Sequence, residues 1–131
     1  MRMLLTLFLV WAVPAAASAQ DHFKDLIDAL GPAARAQGTP QADRELVALN
    51  TVLIIHGAEP CKMASRAAAY QRERKEAIEE SLLAAYGARR EQERQRIMQA
   101  VDTWWARTDL SEHDRTQFCT MVDHSLKHIG F

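Results

Sequence analysis

Residues 39–57 read TPQADRELVALNTVLIIHG, and the run Val52-Leu53-Ile54-Ile55 near their end decides the class of the fold. By propensity alone, four apolar residues rich in β-branched side chains suit a strand. The beginning of the segment argues otherwise. Thr39 followed by Pro40 is an N-cap with proline at the first helical position, and Gly57 is a helix stop. No other stretch of the chain offers a strand partner. A helix that is apolar on every side is what the central helix of a bundle requires, so we read 39–56 as helix.

Working outward, Ala, Leu, Arg, Glu and Gln dominate, and the few glycines and prolines fall between periodic segments. His22 to Leu30 is a short amphipathic piece with Phe23, Leu26, Ile27 and Leu30 on one side, stopped by Gly31-Pro32. Residues 31–38 form a linker. Pro60 opens a third helix that can continue to Tyr86, with Met63, Ala67, Tyr70, Ile78, Leu82 and Ala85 on its stripe, interrupted at Arg74 and ended by Gly87; the sequence leaves open whether it runs through QRERKE (71–76) or bends there. Ala88 to about Thr108 follows, with Ile97, Val101, Trp104 and Thr108 in line and Arg90 and Arg94 on the same stripe further back. Ser111, with Asp114 three residues on, is a carboxylate variant of the capping box and opens a last helix to His128.

The expected fold is therefore all-α: a bundle of four main helices with a short N-terminal helix. Residues 1–19 are read as a leader, 20–38 as the short helix and linker, and 39–131 as the bundle. At about 1.5 Å per residue, an antiparallel hairpin of the third and fourth helices would outreach the others. Leu82, Leu83 and Tyr86 would then lie near its protruding tip.

The first residues, MRMLLTLFLVWAVPAAASAQ, have the three parts of a secretory signal peptide: Arg2, an apolar run from Met3 to Val13, and small residues up to Ala19, after which cleavage is expected. The run covers about half of a hydrocarbon core, so no membrane anchor is expected after cleavage. An exported chain meets oxidising conditions. Its two cysteines, Cys61 and Cys119, are accordingly expected to form a disulfide.

Charge excludes one class of partner. The chain has 16 Lys and Arg against 17 Asp and Glu, a net −1, which is no lure for nucleic acid. The basic residues between positions 71 and 96 alternate with glutamates, and pairs such as Arg72/Glu76 and Arg89/Glu93 stand four apart, as on a solvated helix face.

Residues 113–128, HDRTQFCTMVDHSLKH, hold three of the five histidines. On a helical wheel Phe118, Val122 and Leu126 share one face, and His113, His124 and His128 fall on the other, away from Cys119. His124 and His128 have the four-residue spacing that can place two imidazoles on one metal, but a site needs more ligands, and the intervening residues are Ser-Leu-Lys. A metal-handling role for this pair is the alternative reading, and no cofactor is expected. No GxSxG, CxxC or Gly-rich phosphate loop is present, and the adjacent acids lie in hydrophilic runs, as on a solvated helix face. The sequence does not point to an enzyme.

Trp104-Trp105 diverge by about 100° on a helix, so both rings flank the core stripe and core packing is the first reading; the alternative is that one ring stays exposed as an interface anchor. The functional expectation is a small exported, non-enzymatic module that binds another exported protein in a bacterial periplasm, as an inhibitor, immunity factor or chaperone. Leu82, Leu83, Tyr86 and Trp105 are its expected contact residues. The layout of signal peptide, small helical domain and one cysteine pair resembles the acid-stress chaperones of enteric periplasms. That resemblance implies a fold that opens at low pH.

Overall fold

The computed structural model describes residues 22–31 and 38–131, so the expected leader and most of the linker lie outside the described residues. Among these, six α-helices follow one another: α1 (His22–Leu30), α2 (Pro40–Gly57), α3 (Ala64–Glu73), α4 (Lys75–Tyr86), α5 (Arg90–Trp105) and α6 (Glu112–His128). A 3₁₀ turn, Gly87–Arg89, joins α4 to α5. No strand occurs among the described residues.

The run at 52–55 is helical, and its surroundings explain why. Helix α2 packs against α3, α4, α5 and α6, so Val52, Leu53 and Ile54 are all buried although they point in different directions. Thr39 caps the helix as expected, its Oγ1 accepting from the Ala42 amide at 3.0 Å. Gly57 ends it where α6 crosses closely. A Cβ at that position would stand 2.6 Å from Phe118 Cζ, so this contact excludes any larger side chain unless the ring moves.

Around α2 the core takes Leu26 and Leu30 from α1, Tyr70 from α3, Ile78 and Leu82 from α4, Ile97, Val101 and Trp104 from α5, and Phe118, Val122 and Leu126 from α6. Phe118, fully buried, lies 5.7 Å from Trp104 and 5.6 Å from Trp105 by ring centroids. Burying large aromatic side chains supplies much of the stabilisation of a core this small.

The third helix begins later than the expected Pro60, and the question of its continuity to Tyr86 is answered by a break. Residues 58–62 are turn rather than helix, closed by Lys62 N–H to Glu59 O at 3.0 Å and Met63 N–H to Ala58 O at 2.8 Å. Lys62 there adopts a positive φ of 61°, which a helix cannot contain. Further on, the helix breaks at Arg74, with φ −120° and ψ 28°. The Arg74 guanidinium folds over the Phe131 ring, 5.2 Å from its centroid, and Phe131 also meets Tyr70 at 5.6 Å.

The protruding tip is corrected as well. With two shorter segments in place of one long rod, α2 lies alongside the end of α4, and Gln41 Nε2 donates to the Ala85 carbonyl at 2.9 Å. Leu82 and Tyr86 are consequently core residues, 1% and 7% exposed, and only Leu83 faces outward, at 54%.

Helix α6 starts at Ser111 with a complete capping box. Its Oγ accepts from the Asp114 amide at 3.1 Å, and Asp114 Oδ2 accepts from the Ser111 amide at 2.8 Å. No described helix is long and apolar enough to cross a membrane.

Candidate functional site

The turn after α2 carries Cys61 to the side of α6, where it is bonded to Cys119 with the two Cα atoms 5.4 Å apart. Had residues 60–63 continued a helix, Cys61 would have been held near one end of the bundle, offset from Cys119. The turn removes that offset. A second brace lies one helical turn further along. Arg66 Nη1 donates to Asp123 Oδ1 at 2.7 Å and Arg66 Nε donates to the Phe131 carbonyl at 2.9 Å. The Arg66 guanidinium, and after it Lys127, hold the Asp123 carboxyl below its ordinary range.

Between this turn and the first half of α6 lies an open groove of about 410 Å³, bordered by the disulfide, Lys62, Met63, Trp105, Arg115 and Thr116. Trp105 is fixed within it. Phe118 and Trp104 support the ring from the core at 5.6 and 6.3 Å, and the Arg115 guanidinium lies over it at 5.3 Å. Arg115 is itself tethered, since its Nη2 donates to the Trp105 carbonyl at 3.2 Å and, at 3.4 Å, to that of Arg107. A guanidinium stacked on an indole and anchored to two carbonyls loses little freedom when a ligand arrives. The groove thus pairs an apolar floor of indole and sulfur with the cations Lys62 and Arg115. Of its acids, Asp123 is engaged by Arg66 and Lys127, which leaves Glu112, on the first turn of α6, as the other acidic residue of the lining.

Only Trp105 of the four expected contact residues lies in this groove. Leu83 lines a smaller one of about 320 Å³ on α4 and α5, with Lys75, Glu76, Glu79, Glu80 and Arg90. Leu82 and Tyr86 line neither. Burial, with the nearby Glu93 carboxylate second, raises the Tyr86 hydroxyl above its usual pKa.

His113, His124 and His128 are exposed along α6, on the face expected. Among the described residues, no three His, Cys, Asp or Glu side chains gather closely enough to hold a metal ion.

The sequence reading missed Arg115, Lys62 and Met63. Arg115 was accessible to it in part, because it precedes Cys119 by four residues and so shares its side of α6. Lys62 and Met63 were hidden by the expectation of a helix from Pro60. It also missed two histidine contacts between distant segments: His22 Nδ1 with Asp114 Oδ2 at 2.9 Å, and His56 Nε2 with Asp102 Oδ1 at 2.7 Å. No protein-family model, curated protein or solved structure matches this chain.

Proposed function

We propose that this is an exported, periplasmic binding protein that acts on another exported protein through the groove beside its disulfide, with Trp105 as the anchor. One observation carries the reading: a half-buried tryptophan, supported by core aromatics below and an immobilised arginine above, borders an open concavity. Interface hot spots are enriched in tryptophan and arginine held in this manner, because a pre-ordered side chain loses little entropy on binding. The matching partner segment presents an apolar side chain to the indole and a carboxylate to Lys62 and Arg115. Export rests on the signal-peptide pattern of residues 1–19, and the disulfide fits an oxidising compartment.

The test uses the oxidised protein as bait in periplasmic extract, beside Trp105→Ala and Leu83→Ala variants. The reading expects one partner retained by wild type and by Leu83→Ala and lost with Trp105→Ala. Retention that ignores Trp105 refutes it.

A further inference from the structure

The groove beside the disulfide carries two cations, Lys62 and Arg115, and neither forms an ion pair among the described residues. Only Nη2 of Arg115 is engaged, donating to the carbonyls of Trp105 and Arg107, while Nη1 and Nε donate to no described residue. Their N–H groups are left for an anion, and a hydrogen bond to an ionised acceptor is about twice as strong as a neutral one. Asp123, held by Arg66 and Lys127, does not answer these two charges. Nor does Glu112, which precedes Arg115 by three residues and pairs with neither cation among the described residues.

Separation narrows the source of the anion. Arg115 Cζ lies 5.3 Å from the centre of the Trp105 ring, so a ligand that meets both must carry its charge and its apolar group side by side. In an extended peptide, neighbouring side chains leave on opposite faces, and those on one face stand about 7 Å apart. At a chain end, the carboxylate and the last side chain leave the same Cα. Size points the same way. A concavity of about 410 Å³ falls low in the roughly 300–1,000 Å³ of small-ligand sites and suits a chain end better than a helix anchored over two turns. A passing backbone would also need partners along its length, and no strand edge exists among the described residues to supply them. The amide of a terminal residue needs one acceptor, which Thr116 and Thr120 in the lining can provide.

We infer that the groove takes the free C-terminus of the partner protein, a tail whose last residue is apolar. The terminal carboxylate meets Lys62 and Arg115, and the last side chain meets Trp105, Met63 and the Cys61–Cys119 sulfurs. The flexible thioether of Met63 adapts to side chains of different shape, so the last position is selected as apolar and not as one residue type. This inference rests on the proposed function, since it names the part of the partner that enters the same groove.

Random peptides displayed with a free C-terminus, and the same peptides displayed with that end fused, are panned on the oxidised protein. Only the first library should be enriched, and toward apolar last residues. Enriched sequences, made as fluorescein-labelled peptides, should saturate by anisotropy and lose at least tenfold in affinity when their C-terminus is amidated. Lys62→Gln should weaken the acid form severalfold and leave the amide form unchanged, which a merely structural role for Lys62 would not do. The amidation arm uses the wild-type protein, so it decides the matter even if a variant fails to fold. Equal affinity for acid and amide forms, lost with Trp105→Ala, overturns the inference and leaves the proposed function standing. No enrichment of the free-end library overturns it as well, and the extract experiment then decides the proposed function separately.

Discussion

Gly57 and Phe118 are fitted to each other: the glycine lacks the one atom that would stand 2.6 Å from the ring's Cζ. Gly57→Ala should therefore destabilise the protein by about 1–3 kcal/mol, the usual cost of overpacking a filled core, less the part of about 1 kcal/mol that alanine returns in helix propensity. Phe118→Leu frees space at the cost of a cavity. Urea denaturation of the double variant should give a loss smaller than the sum of the two single losses, the sign of direct coupling.

Removal of the Cys61–Cys119 link should be the largest single stability change. For a separation of 58 residues, the loop-closure model assigns roughly 4 kcal/mol to the constraint on the unfolded chain. The Cys61→Ala, Cys119→Ala double variant should unfold at a much lower urea concentration. Reductant should move the wild-type midpoint to a similar value and leave the variant unchanged.

Two carboxyls make the fold acid-sensitive in a defined window. Hydrogen bonds from Arg107 lower Asp109, and those from Arg66 and Lys127 lower Asp123, both from an ordinary value of 3.8. A carboxyl lowered by folding contributes stability above its unfolded value and loses it as pH falls through the folded one. Urea midpoints should thus fall as the pH drops below about 3.8. Asp123→Asn should be less stable than wild type at neutral pH and should show a shallower fall in that range.

Ser111→Ala removes the cap of α6. Its Oγ both accepts from the Asp114 amide and lies 3.0 Å from Asp114 Oδ2, so the substitution should cost about 1–2 kcal/mol, the upper part of the range for caps. Ser111→Thr should recover most of it. Thermal melts followed at 222 nm read both.

Much of the fold was legible because its signals are local. Thr39-Pro40, the Ser111/Asp114 box and the bounds of α1 each follow from the chemistry of one helix end. The all-helical class followed from the lack of a strand partner for residues 52–55, and the disulfide from the expected compartment. What escaped was long-range. Arg74 was visible as a flaw in a stripe, but the ring its guanidinium meets, Phe131, is 57 positions away. Leu82 lies on the wheel's apolar stripe, yet it and Tyr86 look free at the tip of a long hairpin until the start of α2 is laid beside α4. Of the candidate site, Trp105 was anticipated. Lys62 was not, since a left-handed lysine after a proline and a cysteine has no propensity signature.

The sulfur link also divides the chain topologically. Helices α3, α4 and α5 lie inside the covalent ring closed by Cys61 and Cys119, and α1 and α2 lie outside it. One protease cut within the ring leaves two pieces still tied together and able to re-close around their shared interior. A cut between Gly57 and Cys61 frees a fragment carrying α1 and the central rod, so survival among proteases depends on how tightly that rod stays enclosed.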